Sequence, residues 1–390
     1  MKLKIAQVTP YYYPSIGGVA GVVRYLSEEF IELGHQVDVI TARRDHKGRP
    51  RLSAPMYEEI NGVDVYRYKS LINVGHMSFF PALISHLITH KYDVIHYHSY
   101  RHPLCEISSL FGRLNNSVCV LHGHSPFFEI GEINKLKAYT YKSYDRFAAR
   151  TLLKWSHCII ALNSFEKANY LRLGIKEEKI IIVPNAAENI CFDTYDPESF
   201  LLQYGIKGKK ILLFVGILNW AKRPDLLVLA FPEILKEIPS THLVFVGPDG
   251  GELEKIQILA KKLNLENHIT ITGALWGIDK QMAYASASIF GLPSDLDAYP
   301  LVLAEALAHG IPVVTTDARG PADIVSNGVN GYIIKKGDVK DLTEKIIRLF
   351  KDTKLYNQFS ESAKQTARLN HSAPVIAKKI ESLYFNLLHK

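Results

Sequence analysis

Long apolar runs are missing from this chain of 390 residues. The stretch from Ile211 to Leu218 is only eight residues long, whereas a helix needs about 20 apolar residues to cross a bilayer. Cysteine is scarce. Cys105, Cys119, Cys158 and Cys191 are scattered, with no CxxC pair and no zinc spacing, which excludes a disulfide scaffold and reads as free thiols buried in a cytosolic protein. The opening MKLKIAQVTPYYYP lacks the pattern of a secretory signal. Short repeats, low-complexity tracts and aromatic-basic RNA motifs are all absent, so no nucleic-acid partner is expected. No GxGxxG occurs, which disfavours a dinucleotide cofactor.

What remains is an ordinary globular composition, 47% hydrophobic and 22% charged, long enough for two domains. The net charge is +7, and residues 1–190 carry most of it, with 23 Lys and Arg against 17 Asp and Glu. A mild basic bias of this kind suits an acidic partner or an anionic membrane surface.

Short β-rich runs alternate with helical patterns almost throughout, which predicts parallel α/β layers. The first series is IAQVT (5–9), VDVI (37–40), DVIHYH (93–98), VCVLH (118–122) and CIIAL (158–162). A second series begins at ILLFVG (211–216) and runs through LVFVG, ITITG, SIFGL and PVVTT to GYIIK (331–335). Between them, the turn-rich Val183 to Pro197 marks the boundary. The expected architecture is two doubly wound domains facing across a cleft, with ligands beyond the carboxyl ends of the strands.

That rule makes strand-end residues the candidates. Gly17-Gly18 follow the first strand, and without Cβ atoms they would let a ligand approach the backbone. His98 and His122 end their strands. Lys222 and Arg223 follow ILLFVG at the start of a helix. Asp297 and Glu305 stand eight positions apart in SDLDAYPLVLAEALAHGIPVVT, where Pro300 suits a first helical turn. An acid in so apolar a helix needs a partner or a ligand hydroxyl. Each candidate has a plainer reading too: a solvated cationic pair, a paired helix acid, a capping aspartate, a strand-end histidine, an ordinary strand–helix turn. His96, His98, His102 and His124 raise a metal site through two H-x-H spacings, and such a site is not expected. From Ile133 to Trp155 a single helix is predicted, with Lys142, Arg146, Arg150 and Lys154 as a basic ladder. It reads as a scaffold helix or as one lying on an anionic membrane.

Four fragments in order resemble the family 4 glycosyltransferases, retaining nucleotide-sugar enzymes of the GT-B fold. They are PYYYPSIGGV, FVGILNWAKRPDLL, SDLDAYPLVLAEALAHGIPVV and DARGPADIVSNGVNGYII, and the resemblance runs nearly end to end. Asp297 stands where that family usually has Glu, Ile217 where Arg is frequent, and Ala298 and Pro300 where Gly is frequent.

The resemblance implies a retaining, metal-independent hexosyltransferase needing no cofactor. It would move a hexose from a UDP- or GDP-linked sugar to a glycan or lipid-linked acceptor in surface-glycan, glycolipid or protein-glycan assembly. Residues 1–185 would form a Rossmann-like acceptor-binding domain and 186–370 a Rossmann-like nucleotide-sugar-binding domain. Residues 371–390 would be a C-terminal helix packing back on the first. His122, Asp297 and Glu305 would be catalytic, with Asp297 on the donor sugar and Glu305 on the ribose. Gly17, Gly18, Lys222, Arg223, Leu301, Val302 and Glu305 would bind the donor, the cations and the helix-start amides meeting the pyrophosphate. The expected location is cytoplasmic, with peripheral placement on the inner face of the cell membrane left open. The rival reading is a non-catalytic nucleotide-sugar-binding or scaffold protein that kept the fold.

Overall fold

The computed structural model describes residues 1–15, 17–44, 49, 54–74, 77–127 and 135–389. The chain divides into two compact units, Met1–Asn185 with Ala373–Lys390, and Ala186–Ser372.

The first unit is built on strands β1 (Lys4–Thr9), β2 (Gln36–Ala42), β3 (Tyr57–Ile60), β4 (Val63–Tyr68), β5 (Ile72–Val74), β6 (Met77–Phe79), β7 (Val94–His98), β8 (Val118–His122), β9 (Cys158–Ala161) and β10 (Ile180–Ile182). Eight of these form one sheet in the order β10-β9-β8-β7-β1-β2-β4-β3, while β5 and β6 pair separately. Every ladder in the larger sheet is parallel except β3 with β4. From β1 the chain first builds outward through β2, then returns to add β7 on the other side. Ligands gather at such a switch point in α/β sheets. β7 and β8 are buried at every position, as fits central strands covered on both faces.

The helix Gly18–Glu32 follows β1. The terminal helix Ala373–Leu388 belongs to this unit. It seals against the first helix through Tyr384, whose ring centroid lies 5.5 Å from that of Phe30. His35 Nε2 meets Glu381 Oε1 at 2.8 Å.

The second unit is a six-stranded parallel sheet of β11 (Lys210–Val215), β12 (Thr241–Val246), β13 (Ile269–Gly273), β14 (Ala287–Leu292), β15 (Val313–Thr316) and β16 (Gly331–Ile334), in the order β13-β12-β11-β14-β15-β16. Its switch point lies between β11 and β14. Ile211 to Phe214 of β11 are fully buried.

The predicted helix from Ile133 to Trp155 is two pieces, Lys135–Ala148 and Leu152–Trp155; Ile133 lies outside the described residues. The break falls at Ala149 to Thr151, so the basic ladder is divided: Lys142 and Arg146 ride the long helix, Arg150 the turn and Lys154 the short helix. All four side chains are exposed. Tyr144 faces inward, its hydroxyl donating to Glu106, whereas Leu136, Tyr139 and Phe147 are exposed. Arg101 clamps the long helix with a two-pronged pair to Asp145 at 2.9 and 2.8 Å.

Candidate functional site

At the switch point of the second unit, the loop after β11 and the loop after β14 are laced together. The amide of Asp295 donates to Ala221 O at 2.9 Å, and Lys222 Nζ is paired with the carboxylate of Asp297. Asp297 is held from the other side as well, since Gly320 N donates to its carbonyl at 2.9 Å. A Cβ at Gly320 would collide with the Ala298 carbonyl and the Tyr299 amide, so the DARGPAD segment needs glycine there. Lys222 and Asp297 are therefore adjacent although 75 residues apart in sequence.

Arg223 is placed differently from Lys222. Its backbone is left-handed, φ 50°, and its guanidinium spans Asp225 (Nε to Oδ1 3.0 Å, Nη2 to Oδ2 3.1 Å) and Asp295 (2.8 Å). Asp225 is buried. The hydrogen bond to Asp225 outweighs burial and pushes the guanidinium's pKa up. In this arrangement Arg223 braces the loop, and Lys222 is the cation paired with Asp297.

The helix Leu301–Ala308 begins after Pro300, which occupies the capping position rather than the first turn, and no side chain caps its start. The first amides of a helix have no partner within it, so those of Leu301 and Val302, both half-buried, can serve an anion together with the positive end of the helix dipole. One turn further on, Glu305 is buried at 8% exposure. Its two oxygens are held separately: Lys280 Nζ reaches Oε1 at 2.8 Å, and Tyr284 OH donates to Oε2 at 2.7 Å. Burial lowers the Lys280 pKa, but the charge and hydrogen bond of Glu305 more than offset this, and the net direction is upward.

In the first unit, four imidazoles stack at the carboxyl ends of β7 and β8. Ring centroids are 4.3 Å apart for His96–His98, 5.5 Å for His96–His122 and 4.1 Å for His122–His124. Tyr384 OH meets His96 Nδ1 at 2.6 Å, and His98 lies between Gln7 Oε1 at 2.6 Å and His124 Nε2 at 2.9 Å. Both nitrogens of His122 are buried without a partner among the described residues. Burial, then neighbouring imidazoles, pushes His98 and His122 well below the usual histidine range, and His96 down to about 3.

The ligand nitrogens of His96, His98 and His122 lie within 4.8 Å of one another. Both nitrogens of His98 are already engaged, however, and the His96 and His122 rings are 6° from parallel. Stacked rings aim their lone pairs side by side rather than at one point, so the trio is better suited to a polar ligand than to an ion.

Sequence reasoning missed the backbone of these loops. Ser99 (φ 73°) and Arg101 (φ 65°) after β7, and His124 (φ 60°) and Ser125 (φ 53°) after β8, are all left-handed without being glycine. Such conformations cost free energy and cluster at functional sites. The His122 loop is backed by Glu166, fully buried, which accepts from Leu162 N at 2.9 Å and Ser125 N at 3.2 Å. Burial raises the Glu166 pKa to about 7 against those hydrogen bonds. Gly17 and Gly18 sit where β1 gives way to the first helix, Gly17 as its uncapped N-terminal neighbour and Gly18 as its first residue. Lys280, Tyr284 and Glu166 carried no motif by which a reader of the sequence could have selected them.

Two Rossmann-like units in one chain, the second on a wholly parallel sheet and the first on a sheet parallel but for β3 with β4, have the architecture of the GT-B class. The Glycosyltransferase Family 4 model matches residues 16–188, and the Glycosyl transferases group 1 model matches residues 201–366. The chain belongs to the family 4 glycosyltransferases and is a hexosyltransferase. It is similar to the N-acetyl-alpha-D-glucosaminyl L-malate synthase of Bacillus anthracis, 25% identical over 100% of this chain and 98% of that one. The gpi3 subunit of the phosphatidylinositol N-acetylglucosaminyltransferase of Schizosaccharomyces pombe is 24% identical over 97% of this chain and 79% of its own. Among solved structures, Anabaena HepE in complex with UDP superposes with a TM-score of 0.79 at 18% identity, covering 99% of this chain and 100% of that one.

Proposed function

We propose that the chain transfers a hexose, with retention and without a metal, from a nucleotide diphosphate sugar to a glycan or lipid-linked acceptor in surface-glycan, glycolipid or protein-glycan assembly. The observation that carries this reading is the Lys222–Asp297 pair at the switch point, beside the uncapped start of the helix that carries Glu305. Lys222 and the amides of Leu301 and Val302 neutralise the leaving pyrophosphate, Glu305 accepts from the ribose hydroxyls, and Asp297 orients the donor sugar. Preorganised donors at a developing charge are worth about 3 kcal/mol each. Arg223 supports donor binding by fixing the loop on which Lys222 stands. Gly17, Gly18 and His122 belong to the first unit and serve the sugar and acceptor, the free His122 nitrogens meeting hydroxyl groups.

The UDP bound to HepE supports a uridine donor over a guanosine one, and the names of the two relatives make N-acetylglucosamine the first sugar to try. The lipid acceptor in the name of the yeast relative, and the exposed basic and apolar side chains of the helix Lys135–Ala148, support peripheral work at the cytoplasmic face of a membrane. No helix among the described residues is long and apolar enough to cross one. The test is thermal stability against UDP, GDP and their sugars, with and without EDTA. A ligand at 100 times its Kd stabilises by about 2.7 kcal/mol. A shift with one nucleotide class, indifferent to EDTA and followed by formation of an α-linked product from an α-linked donor, is expected. Binding without transfer or hydrolysis of any donor would favour a non-catalytic nucleotide-sugar-binding protein.

A further inference from the structure

Glu305 lies in a helix that is otherwise almost wholly apolar, yet neither of its oxygens is left without a partner. Oε1 takes Lys280 Nζ at 2.8 Å, and Oε2 takes the Tyr284 hydroxyl at 2.7 Å. Both partners come from the helix Gly277–Ala285, where Lys280 and Tyr284 are four apart and so share one face. Tyr284 is fully buried, and Lys280 keeps 24% of its side chain exposed. Tyr284 is itself fixed: its ring stacks on His309 at 5.3 Å and 16°, and His309 Nε2 is tied to Gln281 Oε1 at 2.8 Å. A carboxylate has about four acceptor positions, two on each oxygen. One donor on each oxygen locks the plane of the group and leaves one position on each for a ligand. Two such acceptors side by side match a vicinal diol, whose two hydroxyls donate together.

We propose that Lys280 and Tyr284 are positioning residues that hold Glu305 as a ready-made diol acceptor, and that this pair sets the discrimination of the enzyme for a ribonucleotide over a deoxyribonucleotide donor. The inference rests on Glu305 meeting the ribose, as proposed above. Lys280 contributes twice: its charge compensates that of a nearly buried carboxylate, and its fixed N–H prevents Glu305 from turning its oxygens into the helix. Without it, the carboxylate is free to rotate about Tyr284 and no longer presents both oxygens at once.

The test uses the full chain and calorimetric Kd values for UDP and 2′-deoxy-UDP, with the guanosine pair in parallel. The variants are Lys280→Met, Lys280→Arg, Tyr284→Phe and Glu305→Gln, each checked for its melting temperature. The wild type is expected to prefer the ribonucleotide by roughly 10- to 100-fold, the worth of one hydrogen bond to a charged group. In Lys280→Met and in Tyr284→Phe that ratio is expected to fall towards one, and Lys280→Arg is expected to keep most of it. A purely structural role would lower the melting temperature and leave the ratio alone. If Lys280→Met does not fold, Tyr284→Phe, which removes a single oxygen, carries the test. A ratio unchanged in the Lys280 and Tyr284 variants but lost in Glu305→Gln overturns the positioning role and leaves the ribose reading standing. A wild type blind to the 2′-hydroxyl, or a Glu305→Gln variant that discriminates as the wild type does, overturns the ribose reading and this inference with it.

Discussion

Gly123 and Glu166 occupy one space: a Cβ on Gly123 would collide with Glu166 Oε1 and with the Tyr170 hydroxyl. The residue after His122 is thus glycine because a buried carboxylate stands behind it, and that carboxylate in turn grips the amide of Ser125 at 3.2 Å.

Gly123→Ala should therefore cost about 1–3 kcal/mol of stability, the usual range for overpacking, and should displace the His122 loop. Transfer rate is expected to fall more than donor affinity, because the loop belongs to the first unit. Combining it with Glu166→Ala removes one of the two collisions and leaves that with the Tyr170 hydroxyl, so the double variant should be less destabilised than the sum of the two singles. Strict additivity in chemical denaturation would refute the shared-space account.

Lys222 and Arg223 are neighbours with different tasks. Lys222→Met should lower kcat/KM by about 10²- to 10³-fold with little change in melting temperature. Arg223→Ala leaves the buried Asp225 without its two-pronged partner and should cost about 1–3 kcal/mol, with a smaller loss of kcat/KM. Steady-state kinetics and thermal unfolding on both variants decide the matter. Equal kinetic losses would mean that Arg223 also meets the phosphates.

The stacked imidazoles give stability a pH dependence of known sign. His96, His98 and His122 are held neutral, His96 down to about 3. They take up protons readily only on unfolding. Their contribution is whole above about pH 6.5 and is lost as pH falls below it. Glu166, raised to about 7 from an ordinary 4.5, and Asp323, raised to about 6, act in the opposite sense over that interval, but the stack has a fourth member, His124, also pushed down to about 3. Melting temperature should drop from pH 6.5 to pH 5, and His96→Gln should flatten the slope. A flat wild-type profile would mean that the imidazoles are protonated in the fold.

Membrane contact can be tested on the divided ladder. Replacing Lys142, Arg146, Arg150 and Lys154 together by Gln should abolish sedimentation with vesicles containing anionic lipid, and the binding of the wild type should weaken as salt rises. If the fourfold variant binds equally well, the basic ladder is only a solvated face.

Much of the fold was legible because it rests on local signals. Apolar runs such as Leu212-Leu213-Phe214 and Val118 to Leu121 read as strands buried on both faces, and the structure bounds most of them within a residue or two. β3 and β4 were legible and overlooked: Tyr57–Tyr68 alternates polar and apolar residues about Asn61-Gly62, the pattern of a two-residue hairpin. The helix break at Ala149 to Thr151 carries no proline or glycine to announce it.

By itself the sequence determined two doubly wound units, the acid pair Asp297 and Glu305 at its fixed spacing, and the cations after β11, since backbone propensity and hydrophobic period act over a few residues. Only the tertiary structure decided which charges meet. Lys222 is given to Asp297 rather than left free, Arg223 is absorbed by Asp225 and Asp295, and Glu305 is locked between Lys280 and Tyr284. It also set Tyr384 against His96, 288 residues away. Such pairings depend on how loops from separate strands converge at a sheet's edge, and no local pattern records that convergence.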